Sequence, residues 1–315
     1  MTKPHVLMVG EVPDLLRRTA AAEFHLHEVS GTGDIGASLS PLRDKVRGLI
    51  TTIRSGFDRK LLQGLPKLEM ISVYGTGLQS TFDIEGAKER GIVLAHTATD
   101  GTDGAVADLA LAFLLALARR IGPADRFVRA GNWASSKFQL STNVSGKRAG
   151  IVGLGFIGRK IARRLAGFDV EVCYHGRARH HDVDYAFYPD LKKLAADVDF
   201  LFVSCRGGAE TTGMINADVL NALGHEGLYI HVAQARIYNE VDLIRVLKLK
   251  QVAGAAIDTF PGEPNVSEEF LKLDNVLLSP HVGAMTNEVL ANRCFGVVRN
   301  LQAHFSGHAI VSRLI

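Results

Sequence analysis

The chain is expected to fold as an α/β protein of two doubly wound parallel-sheet domains. Three observations carry this expectation. Short apolar runs alternate with amphipathic segments through the first hundred residues, and the alternation restarts after residue 148. At that restart the run Gly153-Leu154-Gly155-Phe156-Ile157-Gly158 joins a strand candidate to a helix candidate. Short buried strands separated by helix-length amphipathic segments imply crossover connections, which make neighbouring strands parallel.

In the first stretch His5–Val9, Arg47–Thr51, Met70–Val73 and Ile92–Leu94 read as strands. Asp14–Ala22, Arg59–Leu62 and Ile84–Arg90 read as the helices between them. Ala105 to Ala118 is apolar except for Asp108, too short to span a bilayer, and followed by Arg119-Arg120. A helix apolar nearly all round is buried on several sides, wedged between domains or against a partner subunit. In the second stretch the strands are Arg148–Val152, Val170–Tyr174, Phe200–Ser204, Leu228–Val232, Val252–Ile257 and Val276–Leu278. Helices are expected over Arg159–Phe168, Leu191–Ala196 and Glu240–Lys248, and a long one over Asn287–Phe305. No repeat or low-complexity tract interrupts this order.

With 315 residues there is room for two domains of ordinary size. Hydrophobic content of 47% with 22% charged residues describes a soluble globular chain. A net charge of +3 gives no case for nucleic acid or an anionic membrane as partner. The three cysteines, Cys173, Cys205 and Cys294, are far apart and in mostly apolar settings. They read as reduced thiols of a cytoplasmic protein, and the N-terminus lacks a signal-peptide apolar core.

The glycine run has a physical reading in its strand-to-helix context. Gly153 permits a tight turn, Gly155 lets backbone approach a pyrophosphate, and Gly158 lets the helix pack on the strand. The helix N-terminus then offers free N–H groups to the phosphates. The next strand ends in His175-Gly176-Arg177-Ala178-Arg179-His180-His181, where an NAD-preferring site usually places an acid. Two arginines stand there instead, so NADP(H) is expected over NAD(H). Such a run is ordinarily a solvated loop, and its place at the strand tip raises it above that. No further ligand spacing accompanies His180-His181, so no metal is expected.

In a doubly wound sheet, ligand groups come from loops at the carboxyl ends of strands. Four such loops follow in the second stretch: Cys205 to Gly208, Ala233 to Arg236, Asp258 to Pro264 and Ser279 to Gly283. They place His281 and Glu263 on neighbouring loops. A carboxylate bonded to one imidazole nitrogen orients the ring and favours its proton-donating form.

With these residues assembled, the chain is similar over essentially its whole length to the D-isomer-specific 2-hydroxyacid dehydrogenase family, and within it to the NADP-dependent glyoxylate/hydroxypyruvate reductases. The matching stretches are Gly104 to Ala110, Gly150 to Gly158, Tyr174 to Arg177, Asp258 to Pro264 and Pro280-His281. The resemblance implies a Rossmann cofactor domain, residues 99–284, inserted in a flavodoxin-like substrate domain of residues 1–98 plus 285–315. It implies a homodimer built around the cofactor domains and NADPH-dependent reduction of a small 2-oxoacid to the 2-hydroxyacid. It makes His281 the proton donor and Glu263 its carboxylate. Backbone N–H groups of Tyr74, Gly75, Thr76, Gly77 and Leu78 would hold the substrate carboxylate, and Asp258 the nicotinamide carboxamide. Further implied cofactor contacts are Val106, Phe156, Ile157, Gly176, Cys205, Arg206, Val232, Ala233, Gly283 and His281, beside Gly153, Gly155, Gly158, Arg177 and Arg179.

The chain departs from the family where its catalytic arginine is expected. The motif Asn-Val-Ala-Arg-Gly reads His231-Val232-Ala233-Gln234-Ala235 here, so Gln234 stands at the arginine position. An amide offers neutral donors and no charge. Arg236, two residues on, is the candidate replacement. Gln79 stands where the substrate loop usually has Asp, and Thr97 to Asp103 lacks the usual Thr-Pro opening. Two alternatives therefore stand beside the 2-oxoacid reductase: a reductase of an altered substrate, and an NADP-binding pseudoenzyme.

Overall fold

The computed structural model describes residues 3–29, 41–75, 81–97 and 101–315. The chain divides into two compact units, Met1–Thr102 with Thr286–Ile315, and Asp103–Met285.

The first unit is built from β1 (His5–Val9), α1 (Asp14–Glu23), β2 (His25–Val29), β3 (Val46–Thr52), α2 (Arg59–Gly64), β4 (Met70–Tyr74), α3 (Ile84–Glu89) and β5 (Val93–His96). Its five strands are parallel in the order β2-β1-β3-β4-β5, the flavodoxin-like order. Strand periodicity separates its two cores. Leu7 and Val9 join Leu49, Ile71 and Leu94 on one face, while Val6 and Met8 join Ile50, Met70 and Ala95 on the other. Asp58 and Asp83 start α2 and α3 by accepting the N–H groups of Leu61 and Gly86. Strand β2 was not expected. Its sequence His-Leu-His-Glu-Val is half polar and lies at the sheet edge, so it carries no apolar run.

The second unit runs α4 (Thr102–Ala118), α5 (Ile121–Arg129), β6 (Arg148–Val152), α6 (Phe156–Ala166), β7 (Glu171–His175), β8 (Ala186–Tyr188), α7 (Leu191–Ala196), β9 (Phe200–Val203), α8 (Ala217–Leu223), β10 (Leu228–His231), α9 (Glu240–Lys248), β11 (Gly254–Ile257), α10 (Glu268–Leu271) and β12 (Val276–Leu278). Its seven strands are parallel in the order β12-β11-β10-β9-β6-β7-β8. The order reverses between β6 and β9, where a doubly wound sheet opens a crevice at its strand ends. The apolar helix expected over 105–118 is α4. Its Val106, Ala110, Phe113 and Leu114 are buried in one cluster with Ala149 and Ile151 of β6 and Ile161 and Leu165 of α6. Truncating a fully buried member such as Ile151 to Ala costs about 2–5 kcal/mol. Helix α6 begins at Phe156, three residues before the expected start, because the glycine turn itself supplies its first turn.

The last helix, α11 (Asn287–Phe305), belongs to the first unit. Cys294, Val297 and Leu301 bury against β1, β3 and β4 residues in the same core. The chain end then pairs beside β5, where the Leu314 N–H donates to the Leu94 carbonyl and the His96 N–H to that of Ser312. Cys173, Cys205 and Cys294 are free thiols. Among the described residues no helix is long and apolar enough to cross a membrane.

Candidate active site

The crevice at the strand-order reversal is built by glycines with three different jobs. Gly153 has φ 93°, a left-handed conformation that an L side chain resists, and a Cβ there would lie 2.5 Å from the Cα of Cys205. The turn after β6 and the loop after β9 therefore touch backbone to backbone. Its N–H donates to the His175 carbonyl and its carbonyl accepts from the Ser204 hydroxyl, at 2.9 and 3.0 Å. A Cβ on Gly158 would collide with the Gly153 carbonyl oxygen, so that glycine lets α6 sit down on the turn. Gly155 is different, because a Cβ there would meet nothing within 4 Å. It leaves open space in front of a helix N-terminus that no side chain caps. Unpaired N–H groups facing an open cradle fit the pyrophosphate of a dinucleotide.

The loop after β7 is held by the chain while its arginines are left out. The His180 N–H donates to the Tyr174 hydroxyl at 2.7 Å. Arg159 is taken by both oxygens of Asp182, at 2.8 and 3.0 Å. Arg177 and Arg179 are exposed and form no ion pair among the described residues.

Two adjacent strand-end loops hold an imidazole–carboxylate pair. His281 Nδ1 lies 2.8 Å from Glu263 Oε2, and the Phe260 N–H donates to Glu263 Oε1 at 2.9 Å. Partial burial pushes the Glu263 carboxyl up, but the His281 and Phe260 bonds outweigh it and hold the group below the usual carboxylate range. With Nδ1 engaged, Nε2 is the atom left to exchange a proton. His281 has φ 53°, an uncommon value for a non-glycine residue. Asp258 fixes that backbone: its buried carboxylate accepts from the Ser279 hydroxyl and from the Val282 and Gly283 N–H groups, both at 2.9 Å. A Cβ on Gly283 would lie 3.2 Å from Val106 Cγ2, so α4 packs directly behind this loop.

The loop after β10 presents Gln234 and Arg236 to solvent, between the buried Val232 and Ile237. Gln234 is seated on Gly207 of the neighbouring loop. A Cβ on Gly207 would collide with Gln234 Oε1 and lie 2.9 Å from its Cδ. Beneath it is a buried polar chain that sequence reasoning missed. The Tyr229 hydroxyl is 2.8 Å from His231 Nδ1, and His231 Nε2 is 3.2 Å from the Gln234 carbonyl. A carbonyl only accepts, so Nε2 carries the proton and Nδ1 takes the tyrosine's. Burial pushes His231 down to about 4 and the Tyr229 hydroxyl well up, so both stay neutral at ordinary pH. Thr259 adds a second tie, its hydroxyl donating to the Ala233 carbonyl at 2.6 Å.

The pattern of the NAD-binding domain of D-isomer specific 2-hydroxyacid dehydrogenases matches residues 111–283, more than half of the chain. The chain belongs to the D-isomer specific 2-hydroxyacid dehydrogenase family. It is an oxidoreductase acting on CH–OH donors with a nicotinamide cofactor. A glyoxylate/hydroxypyruvate reductase A of Arabidopsis thaliana is 36% identical over 310 residues, covering 98% of each chain. The solved 2-hydroxyacid dehydrogenase of Ketogulonicigenium vulgare is similar with a TM-score of 0.92 and 38% identity, over 100% of this chain and 99% of that one. The NADPH-dependent glyoxylate/hydroxypyruvate reductase of Sinorhizobium meliloti, solved with NADP and malonate, is similar with a TM-score of 0.82 and 32% identity, over 99% and 97%.

In this family member the second unit brings together Gly153, Gly155, Gly158, Cys205, Gln234, Asp258, Glu263 and His281. Asp258 was expected as a cofactor contact, and here its carboxylate is first a clamp on the His281 loop. Gly207 and His231 were not expected: Gly207 acts through a contact between loops, and His231 through a buried bond to the Gln234 carbonyl three residues on. Of the expected substrate residues, Tyr74 and Gly75 end β4, and the Gly75 N–H donates to the Thr97 hydroxyl at 3.1 Å. Thr76, Gly77 and Leu78 lie outside the described residues.

Proposed function

We propose that this dehydrogenase reduces a small 2-oxoacid of the glyoxylate/hydroxypyruvate type to the 2-hydroxyacid, using NADPH. The observation that carries the reading is the 2.8 Å His281–Glu263 pair on a loop clamped by Asp258. Gly153, Gly155 and Gly158 with the α6 N-terminus would hold a reduced nicotinamide dinucleotide, which would supply the hydride taken up by the ketone carbon. His281 delivers its Nε2 proton to the ketone oxygen, which becomes the hydroxyl, and Glu263 stabilises the imidazolium before transfer. The first unit serves as the substrate domain, with backbone N–H groups from Tyr74 onward for the carboxylate. NADPH oxidation followed with glyoxylate and hydroxypyruvate tests this, and no turnover above background with either overturns it. A cytoplasmic location fits the three free thiols.

The preference for NADPH rests on Arg177 and Arg179, exposed and without ion pairs among the described residues at the tip of β7. Replacing both by Ser is expected to raise the KM for NADPH about 10- to 100-fold, the worth of charge-assisted bonds to a phosphate, with little change for NADH. Equal KM changes for the two cofactors would remove the 2′-phosphate assignment.

Gln234 favours a second reading. Its neutral amide on the Gly207 seat suits a carbonyl compound without a carboxylate, or a protein that binds NADP without turnover. A panel of ketones lacking the carboxylate separates these outcomes, together with NADPH titration in the calorimeter.

We also propose a homodimer through the arm that follows α4. Helix α5 has no buried residue. Trp133 and Leu140 are 75% and 97% exposed, an apolar surface unusual for a monomer. Phe127 and Phe138 pack edge to face and brace the arm from within. Trp133→Glu is expected to convert a dimer to a monomer by light scattering, and a wild-type monomer refutes the arrangement.

A further inference from the structure

We infer that Arg293 of α11 is the cation that binds the substrate carboxylate, which deepens and rests on the reductase reading. Three observations place and free its guanidinium. The first is register along α11. Asn300 donates from Nδ2 to the His96 carbonyl at 3.2 Å and to the Ser72 hydroxyl at 3.5 Å, which fixes this helix against β4 and β5. Arg293 lies seven residues earlier, two turns along the same face. The buried Val297 lies between them on that face. Moving from Ser72 toward the carboxyl end of β4 reaches Tyr74 and Gly75, where the resemblance puts the substrate loop.

The second observation is what the guanidinium touches. Its Nη2 donates to the Thr102 hydroxyl at 2.9 Å. It also lies within electrostatic reach of the Tyr74 hydroxyl, which burial and Cys294 push up and Arg293 draws down. Thr102 follows the segment that comes off β5, and Gly75 is bonded to Thr97 at the end of that strand. Tyr74 at the carboxyl end of β4 and Thr102 at the start of α4 thus both reach one arginine.

The third observation is what the guanidinium lacks. Its Nε is buried with no hydrogen-bond partner, and Arg293 forms no ion pair among the described residues. A guanidinium has five N–H donors in a planar fork, and Thr102 uses one. Arginines held in folded proteins are ordinarily paired, and a half-buried fork with no anion among the described residues is suited to one that arrives. A carboxylate matches the fork in charge and geometry. On this assignment the charge absent at Gln234 is not missing from the protein. It stands in the first unit, on the helix that Asn300 fixes against β4 and β5.

The test compares Arg293→Met, Arg293→Gln and Arg293→Lys with the wild type in full-length protein. Glyoxylate reduction by NADPH supplies kcat and KM, and oxamate serves as a carboxylate inhibitor that cannot be reduced. Loss of the charge is expected to raise the KM for glyoxylate and the Ki for oxamate about 10- to 100-fold with kcat within a few fold, and Lys to recover most of it. A structural role alone would not split KM from kcat or be rescued by Lys. Arg293→Gln keeps a donor for Thr102, so it reads the charge even if the Met variant fails to fold. Unchanged KM and Ki in a folded Gln variant overturn the assignment while leaving the reductase reading intact. If the wild type reduces no 2-oxoacid, that reading falls, and oxamate binding in the calorimeter then decides the assignment: equal affinity in wild type and Arg293→Gln overturns it.

Discussion

His281→Asn is expected to lower kcat/KM for glyoxylate reduction by about 10²- to 10⁴-fold, the usual contribution of a placed general acid. Asn is close to His in size and can keep a bond to Glu263, so loop geometry survives and the loss reports proton transfer. The Asp258 clamp supports this, since it grips Ser279, Val282 and Gly283 and does not depend on the His281 ring. NADPH affinity should therefore stay within several fold of wild type, checked by fluorescence titration. The pH dependence has a definite sign. Glu263 is held below the usual carboxylate range, so it is ionised throughout the neutral region and accepts a hydrogen bond from His281 Nδ1. Reduction takes up a proton at the ketone oxygen and oxidation of the 2-hydroxyacid releases one, so rising pH disfavours the first and favours the second. A reduction profile that rises with pH across the neutral region would contradict the proton-donor role.

Much of the scaffold was legible because it rests on local signals. Apolar runs such as Phe200–Val203 and Leu228–His231 have both faces buried, so they announce themselves as strands without alternation. The glycine turn was legible because each glycine answers a local steric demand. His281 and Glu263 could be paired in advance because β11 and β12 are neighbours, which brings the loops at their ends together. What escaped lacked such signals. Strands β2 and β8 lie at sheet edges and are half polar or only three residues long. Helix α5 has no buried residue, so no core demand points to it. The seat of Gln234 on Gly207 is a contact between separate loops, specified by three-dimensional shape and not by any period, and its support by His231 is a bond three residues apart that no apolar pattern marks.

Gln234→Arg is the second large effect, and its direction is a gain. A guanidinium at a reacting carbonyl supplies charge where the amide supplies only a neutral donor, a difference of about 10²–10³ in rate. The local structure can take the change. His231 holds the Gln234 carbonyl and Thr259 the Ala233 carbonyl, so the backbone there is fixed by groups that the substitution does not touch. Gln234 is exposed, so a longer side chain can extend into solvent, and Gly207 lets its stem lie close where a Cβ would collide. A longer stem can cross that surface, whereas Gly207→Ala in the same protein should displace the side chain and cancel the gain. The kinetic constant that responds matters more than its size. If Arg293 already holds the carboxylate, a new arginine at 234 has the ketone oxygen left to polarise, and the increase appears in kcat with KM for glyoxylate nearly unchanged. If no other cation holds the carboxylate, KM falls as well. An unchanged rate on every 2-oxoacid would mean that the amide at 234 does not limit that chemistry, and would favour a substrate without a carboxylate.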